Sequence, residues 1–505
     1  MLPAPSYEES AIISTRWLVL FALLAAASLV PIWICAHPPL PDLAAHLASG
    51  AVLHFHDDPR WDFARYYALN LRAEPYWGYH APLHVLAFVF PLETANRLVL
   101  SLYVVGLPLG LGLLARTLGR SPLLALFGFP LVWSFGFSMG FLPFCMGVAA
   151  LPYALAAFDH HCAKPTLLNS ALAVFAGIAM FFTHLLPWTM FVAGAAALAI
   201  LHEGRSWRRA VVWLPSVIVG VALGVHSHKM HVNESHALQV RFVSFGESLK
   251  TFCDWLWSAC AGHEDKWLAL VLAIAWIALV ATAREKRRLH DWRVEALALI
   301  ALVAYFATPR AIIKPAYWWG LNVRFAALAC LFGALCVPGA IAGRRRFLLA
   351  PVALVGLGFA VDAAVHWKLA DRYCQGFDEL AAIPEPGARV LFLIDQPWHD
   401  SSLARDYAQA YSGYYQARRG GYLPWSFADD FPIARAVRYP APEWHHMKFE
   451  WDAHARYYDY VMTFQETPPF DGHWRDVRWR GVSGRWTLWQ LPGPRVDDPP
   501  PIGLR

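Results

Sequence analysis

The chain has 505 residues, of which 57% are apolar and only 16% are charged, and its formal net charge is +5. Soluble globular chains carry about 25% charged residues, so this composition indicates a membrane protein. The sequence contains no Gly-rich phosphate loop, no dinucleotide fingerprint and no stripe of basic and aromatic residues. These absences argue against a nucleotide-binding enzyme and against a nucleic-acid partner.

Apolar runs long enough to cross a bilayer, about 17–25 residues each, recur from the N-terminus to about His366. The segment before the first run, MLPAPSYEES, is acidic and unlike a signal peptide, so we interpret that run as a retained span. Hydropathy predicts about eleven spans, at residues 16–36, 93–115, 121–136, 139–158, 167–184, 187–202, 210–226, 266–283, 294–308, 323–343 and 347–366. The run 80–91 is too short and predicts an interfacial or re-entrant helix.

Lysine and arginine follow the even-numbered spans, whereas the hairpins SFGFSMGF and THLLPW on the opposite side contain neither. Because cytoplasmic loops are enriched in Lys and Arg, this pattern places the N-terminus in the cytoplasm. The loops 37–92, 227–265 and 309–322, and everything after residue 367, then lie outside. The sequence therefore predicts a multi-pass protein of the bacterial inner membrane with a periplasmic C-terminal part.

The composition changes after Trp367. Residues 371–382 suit a short amphipathic helix, and VLFLID (390–395) and DYVMTF (459–464) suit buried strands. The segments DVRWRGV and RWTLWQL, separated by SG, predict a closing hairpin. The expected fold is thus mostly α: a transmembrane helical bundle over 1–366 and a small α/β domain over 367–505.

The first outer loop, 37–92, is unusually polar for a segment beside a span. Asp42 and His46 lie one helical turn apart after a proline-rich approach, which would suit a positioned catalytic pair. Asp42 can equally be a simple N-cap of the following helix. His80 and His84 lie one turn apart on an apolar helix, where they could face a shared site with Asp42 or be interfacial residues with wet tips.

Metal binding is a second expectation for this loop. His56, Asp57 and Asp58 in HFHDDPRW, with Asp42, are acceptable ligands for a divalent cation such as Mg²⁺ or Mn²⁺. A solvated helix end is the favoured alternative, because no spacing fixes the ligand geometry. The eight cysteines form no C-x-x-C pair, and the sequence does not decide whether Cys253 and Cys260 form a disulfide.

The late outer loop TPRAIIKPAYWWGLNVRF supplies cations. Arg310, Lys314 and Arg324 are candidates for binding the phosphate of a lipid, with Arg324 favoured because a guanidinium is a natural fork for phosphate. Snorkelling to lipid headgroups is the alternative. His184, at the outer end of a span, is either a substrate-binding residue or a hydrogen-bonded structural histidine.

Several segments resemble those of the GT-C class of membrane glycosyltransferases, and a group of GT-C-like bacterial membrane proteins in particular. They are PDLAAHLASG, FGFSMGFLPFCMGVAALPYALA, FFTHLLPWTMF, NVRFAAL and DYVMTF. The resemblance implies a polyprenyl-phosphate sugar donor. It also implies an acidic residue early in the first outer loop, here Asp42, that acts as base or holds a metal. Late-loop cations, best matched by Arg324, would hold the lipid-linked phosphate. The acidic pair of the class is absent, since Asp57 and Asp58 are adjacent.

The preferred hypothesis is therefore a glycosyltransferase that transfers a hexosyl or pentosyl group to a glycan, lipid or protein acceptor on the outer face. A lipid or glycan transporter or flippase is the first alternative, although the span centres carry few ionisable groups. A catalytically inactive scaffold in envelope assembly is the second, because a fold does not imply a function.

Overall fold

The computed structural model describes residues 15–202, 211–231, 238–257, 264–283, 292–314, 317–394, 407–423, 426–428, 431–437, 449–455, 457–465 and 467–492. These residues form two compact units. Unit 1 comprises residues 1–30, 100–137 and 143–363, and unit 2 comprises residues 31–99, 138–142 and 364–505. The first outer loop thus belongs to the same unit as the C-terminal segment, whereas the predicted boundary at 366/367 stays a prediction.

Helices dominate the described residues, as the apolar runs predict. In chain order they are α1 (Thr15–Ile34), α2 (Leu43–Phe55), α3 (Phe63–Tyr66), α4 (Trp77–Ala87), α5 (Leu92–Thr117), α6 (Gly128–Val132), α7 (Phe135–Met139), α8 (Leu142–Ala163), α9 (Leu167–Thr183), α10 (Leu185–Leu201), α11 (Leu214–His231), α12 (Phe245–Leu256), α13 (Glu264–Ala281), α14 (Arg293–Ala307), α15 (Arg324–Gly333), α16 (Ala350–Tyr373), α17 (Phe377–Ala381) and α18 (Tyr411–Arg419).

Five helical segments among the described residues are long and apolar enough to cross a membrane: Thr15–Ile34, Leu92–Thr117, Pro122–Met139, Leu142–Ala163 and Gly343–Tyr373. Apolar helices of 10–17 residues cover several of the other predicted spans. Large apolar side chains point outward from these helices; Leu167 and Phe175 of α9 are 89% and 71% exposed. Such surfaces are unfavourable in water and are typical of helices surrounded by lipid.

Two predicted spans differ from the observed helices. The segment 121–136 is a 3₁₀ helix (Pro122–Phe127) followed by the short helices α6 and α7, which are interrupted at Trp133 and Ser134. The segment 323–343 is helical only as α15 and then becomes irregular, with Gly339 at a φ of +72° beside Pro338. Hydropathy does not detect such breaks, because the residues around them are equally apolar.

Unit 1 also contains a small antiparallel sheet that the sequence does not predict. Its order is β2-β3-β4, formed by Gln239–Arg241, Ala311–Lys314 and Trp318–Trp319. The register pairs Ala311 with Trp319 and Ile312 with Trp318. This sheet fixes the late outer loop, with Arg310 directly before β3.

Unit 2 contains the predicted C-terminal sheet, in the order β5-β7-β9-β8. The strands are β5 (Val390–Leu393), β7 (Tyr460–Phe464), β8 (Arg478–Ser483) and β9 (Trp486–Gln490). β5 is parallel to β7, and β9 is antiparallel to both β7 and β8. Both predicted strands and the closing hairpin are confirmed. β1 (Tyr67–Leu69) pairs separately with β6 (Ala434–Ala436) in a two-stranded sheet.

Helix α2, which follows Asp42 and contains His46 and His54, packs directly on α18. At their crossing, a Cβ on Gly413 would lie 2.5 Å from the carbonyl group of Ala44, so only glycine permits this approach. Tyr414 on the same helix donates a 3.0 Å hydrogen bond from its hydroxyl to the carbonyl of Pro38. The first outer loop is thereby held by a helix more than 350 residues later in the chain.

Cys253 is exposed and is a free thiol in the described structure. Its candidate disulfide partner, Cys260, lies outside the described residues.

Candidate functional site

Asp42 lies immediately before α2, but it does not act as a conventional cap. Its backbone is in the right-handed helical region, and its side chain makes no capping hydrogen bond to the helix. Capping by the side chain requires an extended backbone, which Asp42 lacks. The carboxylate therefore does not satisfy the first turn of α2, and the interpretation of Asp42 as a simple N-cap is not supported.

The hairpin before α8 holds the backbone of Asp42 from the other side. The amide of Asp42 donates a 3.0 Å hydrogen bond to the carbonyl of Met139. Gly140 has a φ of +84°, and a Cβ there would lie 2.8 Å from the nitrogen of Leu43 and 3.1 Å from that of Asp42. Since real Cβ contacts are longer, glycine is required both for the turn and for the close approach.

His46 is paired with His80 and not exposed to solvent. Its Nδ1 lies 3.3 Å from Nε2 of His80, and the two residues are only 2% and 0% exposed. Phe427 and Phe431 pack against the His46 ring. Burial lowers the pKa of both rings, that of His80 to about 3, so both are neutral at pH 7. This position suits a structural pair better than a catalytic role for His46, which stays a prediction.

A second histidine pair lies further along the same two helices. Nδ1 of His54 is 3.4 Å from Nδ1 of His84, and the Phe88 ring packs against both imidazoles. Burial lowers the pKa of both, so each is neutral at pH 7. A neutral imidazole is a weak partner for phosphate, so the pairing gives no support to the predicted phosphate contacts of His80 and His84.

The four residues expected to hold a metal are not brought together. His56 contacts Asp57 at 2.7 Å and donates from Nε2 to the carbonyl of Tyr67 at 2.9 Å. Asp58 instead accepts hydrogen bonds from Arg60, the shortest being 2.6 Å. Within the described ranges, no group of three or more His, Cys, Asp or Glu residues could hold a metal ion. These ion pairs agree with the alternative of a solvated helix end.

A small pocket beside α2 contains an unsatisfied polar atom. Gln416 is 1% exposed and donates from Nε2 to the hydroxyl of Tyr67 at 2.9 Å and to the carbonyl of Gly421 at 3.1 Å. Its Oε1 accepts no hydrogen bond from the described residues. Ser49 and Val52 of α2 line the same pocket. The pocket therefore offers a buried acceptor to a small donor such as water or a hydroxyl.

In unit 1, the guanidinium of Arg310 contacts two neighbouring side chains. Its Nε donates to Oδ1 of Asn322 at 3.0 Å, and its guanidinium lies 4.8 Å from the ring of Trp255. The Nη2 atom is buried and makes no hydrogen bond with the part of the chain that the structure describes. Burial also lowers the pKa of Arg310. A partly desolvated guanidinium with a donor to spare is suited to bind an anion.

Arg324 and His184 lie in the same unit around Phe144. The guanidinium of Arg324 is 5.9 Å from the Phe144 ring, whose centroid is 5.4 Å from that of His184. Nδ1 of His184 accepts a 3.1 Å hydrogen bond from the amide of Leu186 at the start of α10. The His184 proton therefore resides on Nε2, and the cap gives this residue a structural function.

Lys314 is placed differently from the two arginines. It ends β3, pairs across the sheet with Gln239, and is exposed. Exposed lysines are typical of headgroup or solvent contacts, which agrees with the snorkelling alternative.

Comparisons with known proteins show the fold. No family model matches the sequence, and no curated protein matches it. The solved structures of ArnT from Cupriavidus metallidurans do match, in the apo state (TM-score 0.53) and bound to undecaprenyl phosphate (TM-score 0.54). In both comparisons the identity is 14%, and the match covers 94% of this chain and 98% of the other. The chain has the ArnT fold.

ArnT is a GT-C glycosyltransferase, so the fold expected from the sequence motifs is confirmed. With its apolar helices, the ArnT fold makes the chain an integral membrane protein. The orientation of its termini and the number of its spans stay predictions.

Sequence reasoning missed several elements around Asp42. Gly140 carried one available signal, a glycine in a tight hairpin between apolar segments. The partners of Asp42 and His46 lie far along the chain or on another helix, and no local pattern identifies them. The pairing of His54 with His84 was missed for the same reason.

Proposed function

We propose that the chain is a membrane glycosyltransferase of GT-C type that transfers a sugar from a polyprenyl-phosphate-linked donor to an acceptor at the outer face. The observation that carries this proposal is the ArnT fold over 94% of the chain, with undecaprenyl phosphate bound to one of the ArnT structures. Arg310 in unit 1 and Asp42 in unit 2 are each given a role in this reaction from their own surroundings. The Lys and Arg pattern of the sequence predicts that the first outer loop and the late outer loop face outward, which supports the proposal.

At the donor, Arg310 is proposed to bind the phosphate. When the bond between the anomeric carbon and the phosphate oxygen breaks, negative charge develops on that oxygen. A fixed guanidinium in a partly desolvated site stabilises this charge more than solvent would. The hydrogen bond to Asn322 and the contact with the Trp255 ring orient the Arg310 guanidinium. Arg324, favoured by the sequence, is proposed as a second cation for the same donor.

At the acceptor, Asp42 is proposed as the general base. Its carboxylate makes no capping bond, while Met139 and Gly140 fix its backbone. In the proposed step, the acceptor oxygen forms a bond to the anomeric carbon, the polyprenyl phosphate leaves with the electron pair, and Asp42 receives the acceptor proton. The step is written with side chains alone, since His56 contacts Asp57, and Asp58 pairs with Arg60; a divalent cation at Asp42 stays a prediction.

The first test is the transfer of radiolabelled sugar from a panel of polyprenyl-phosphate donors by the purified protein in nanodiscs. Asp42→Asn should lower kcat at least 100-fold with an unchanged melting temperature, since general bases contribute about 10²–10⁴-fold. The matched control is Asp57→Asn, whose carboxylate is 93% exposed. Full activity of Asp42→Asn would remove Asp42 from the mechanism.

The second test measures binding of undecaprenyl phosphate by native mass spectrometry, with uncharged undecaprenol as the control lipid. Arg310→Gln should weaken binding of the phosphate about tenfold or more and leave undecaprenol unaffected, because charged hydrogen bonds contribute about 1.5–3 kcal/mol. Lys314→Gln, an exposed cation nearby in the chain, should change little. Equal effects of the two variants would contradict the role given to Arg310.

These assays also separate the proposal from its alternatives. Lipid or glycan flux in proteoliposomes without sugar transfer would favour a transporter or flippase. Binding of undecaprenyl phosphate with neither transfer nor flux would favour an inactive scaffold.

A further inference from the structure

A cluster of charged side chains surrounds His37, just before the prolines that lead to Asp42. We call it the His37 cluster. Its members all belong to unit 2 and come from the approach to the first outer loop and from four helices: His37, Glu93 of α5, Lys368 and Asp371 of α16, Asp378 of α17 and Arg418 of α18. Such a group of charges, most of them distant in sequence, is not needed to form any one helix.

His37 lies between two carboxylates. Its Nε2 is 3.1 Å from Oδ1 of Asp378, and its Nδ1 is 3.7 Å from Oδ1 of Asp371. The Nε2 contact is an electrostatic contact with the Asp378 carboxylate. The backbone amides of Ala36 and His37 donate to Asp371 at 3.2 and 3.3 Å. Both the ring and the main chain at His37 are therefore attached to acidic groups.

The remaining members complete the balance of charge. Lys368 donates to Asp371 at 2.8 Å, and Arg418 pairs with both Glu93 and Asp378. The cluster thus has three carboxylates and two permanent cations, and a protonated His37 supplies the third positive charge. Burial alone would lower the pKa of His37, but Asp371 and Asp378 outweigh it and raise the pKa above its usual value.

The His37 cluster is connected to Asp42 by a stiff segment. Pro38, Pro39 and Pro41 restrict φ along it, and residues 37–40 are buried. The Pro38 carbonyl accepts from the Tyr414 hydroxyl at 3.0 Å and from the Leu40 amide at 2.9 Å. Because this segment is stiff, a shift of the His37 backbone would therefore also shift the backbone of Asp42.

We propose that His37 is a positioning residue, whose protonated form attaches the Pro38–Pro41 segment to α16 and α17 and so holds the Asp42 carboxylate in place. The proposal rests on the function proposed above for Asp42. It predicts that the transfer reaction loses activity when His37 loses its proton at alkaline pH.

Other groups face His37 and must be considered in any pH experiment. Besides the cluster members, the rings of Phe377, Tyr411 and Tyr414 pack against the imidazole, and Arg97 donates to the carbonyls of Cys35 and Ala36. Burial raises the pKa of both tyrosines well above the usual value, so neither titrates between pH 6 and 9. The pKa of Asp378 is lowered to about 2, with His37 as the main cause, so Asp378 stays ionised in this range.

The first experiment uses no substrate. It measures the melting temperature of wild type, His37→Gln, Asp378→Asn and the double variant in nanodiscs from pH 6 to pH 9. A group with a raised pKa stabilises the fold below its unfolded pKa, near 6.5, and loses this effect as pH rises through its folded value. The effects of the two substitutions on the melting temperature should therefore be non-additive at pH 6 and additive at pH 9. The ion pair between Arg418 and Asp378 does not change between pH 6 and pH 9. Its loss contributes equally to Asp378→Asn and to the double variant, so it does not affect the coupling energy between His37 and Asp378.

The second experiment measures the pH profile of kcat and KM for sugar transfer. Wild type should lose activity about tenfold or more on an alkaline limb, mainly in kcat. In Asp378→Asn this limb should move to lower pH by about one unit or more, because a nearby carboxylate shifts a pKa by about 1–3 units. In His37→Gln the limb should disappear and kcat should be low throughout.

The outcomes decide separately on the two proposals. A limb that stays in place in Asp378→Asn, or additivity at pH 6, would overturn the role of His37. If the protein transfers no sugar, the proposed function fails, and only the melting temperatures test the role of His37. Non-additive effects at pH 6 would then support attachment of the Pro38–Pro41 segment by charged His37, and additive effects would refute it.

Discussion

Replacing Gly140 by alanine tests whether the hairpin before α8 fixes Asp42. Gly140 has a φ of +84°, a region that costs an L-residue about 1–2 kcal/mol. The added Cβ would also lie 2.8 Å from the Leu43 nitrogen, so the start of α2 must move by about 0.6 Å to reach an ordinary contact of 3.4 Å. Because misplacement of a catalytic group by about 1 Å can cost about 100-fold, we expect kcat for sugar transfer to fall about 10–100-fold.

Gly472→Ala is the matched control in the same unit. Gly472 has a φ of +78°, but nothing lies within 4 Å of the position that its Cβ would take, so only the backbone cost applies. Both variants should lose a similar amount of conformational stability from φ, and only Gly140→Ala should lose activity in the nanodisc assay. If Gly140→Ala keeps wild-type kcat while its melting temperature falls, the hairpin does not position Asp42.

Two further predictions concern buried charge and protonation. Arg293→Met should destabilise unit 1 by about 3–5 kcal/mol, because it removes the cation that lies 2.7 Å from the buried carboxylate of Asp159. The double variant with Asp159→Leu should recover most of this stability, as measured by thermal unfolding. Lowering the pH from 7 to 5 should destabilise unit 2 by up to about 2 kcal/mol through His80, because the unfolded histidine binds a proton that the folded one, with a pKa of about 3, does not. In His80→Leu the melting temperature should therefore fall less between these pH values; an unchanged slope would contradict this assignment.

Local patterns were sufficient for much of the fold. The apolar runs predicted the long helices, and the strand-like segments at 459–464 and in the final hairpin form β7, β8 and β9. Each of these elements is defined by its own residues, since burial of one face or of the whole segment is encoded within it. The GT-C-like motifs indicated the same fold as the structural comparison, although the identity to ArnT is only 14%.

The arrangement around Asp42 could not be predicted in the same way. His46 shares a face with Asp42 on an ideal helix, but packing directed its ring to His80 of α4. The charged run at Asp57 and Asp58 forms local ion pairs with His56 and Arg60. The contact of His46 with His80 depends on which helix lies opposite, and this is tertiary information that neither spacing nor composition contains.

The crossing of α2 and α18 has a consequence for synthesis of the protein. Ala44 and Gly413, which touch there, are 369 residues apart, the difference between 413 and 44. At roughly 5–20 residues per second, a ribosome needs roughly 20–70 s to make the chain between them. During that interval the prolines and Asp42 have already been synthesised, but the helix that covers them does not yet exist. A chain that terminates before residue 411 would therefore contain the described apolar helices up to Tyr373, but it would lack α18, which packs on α2 beside the proposed base. Quality control of this protein can thus depend on its last hundred residues.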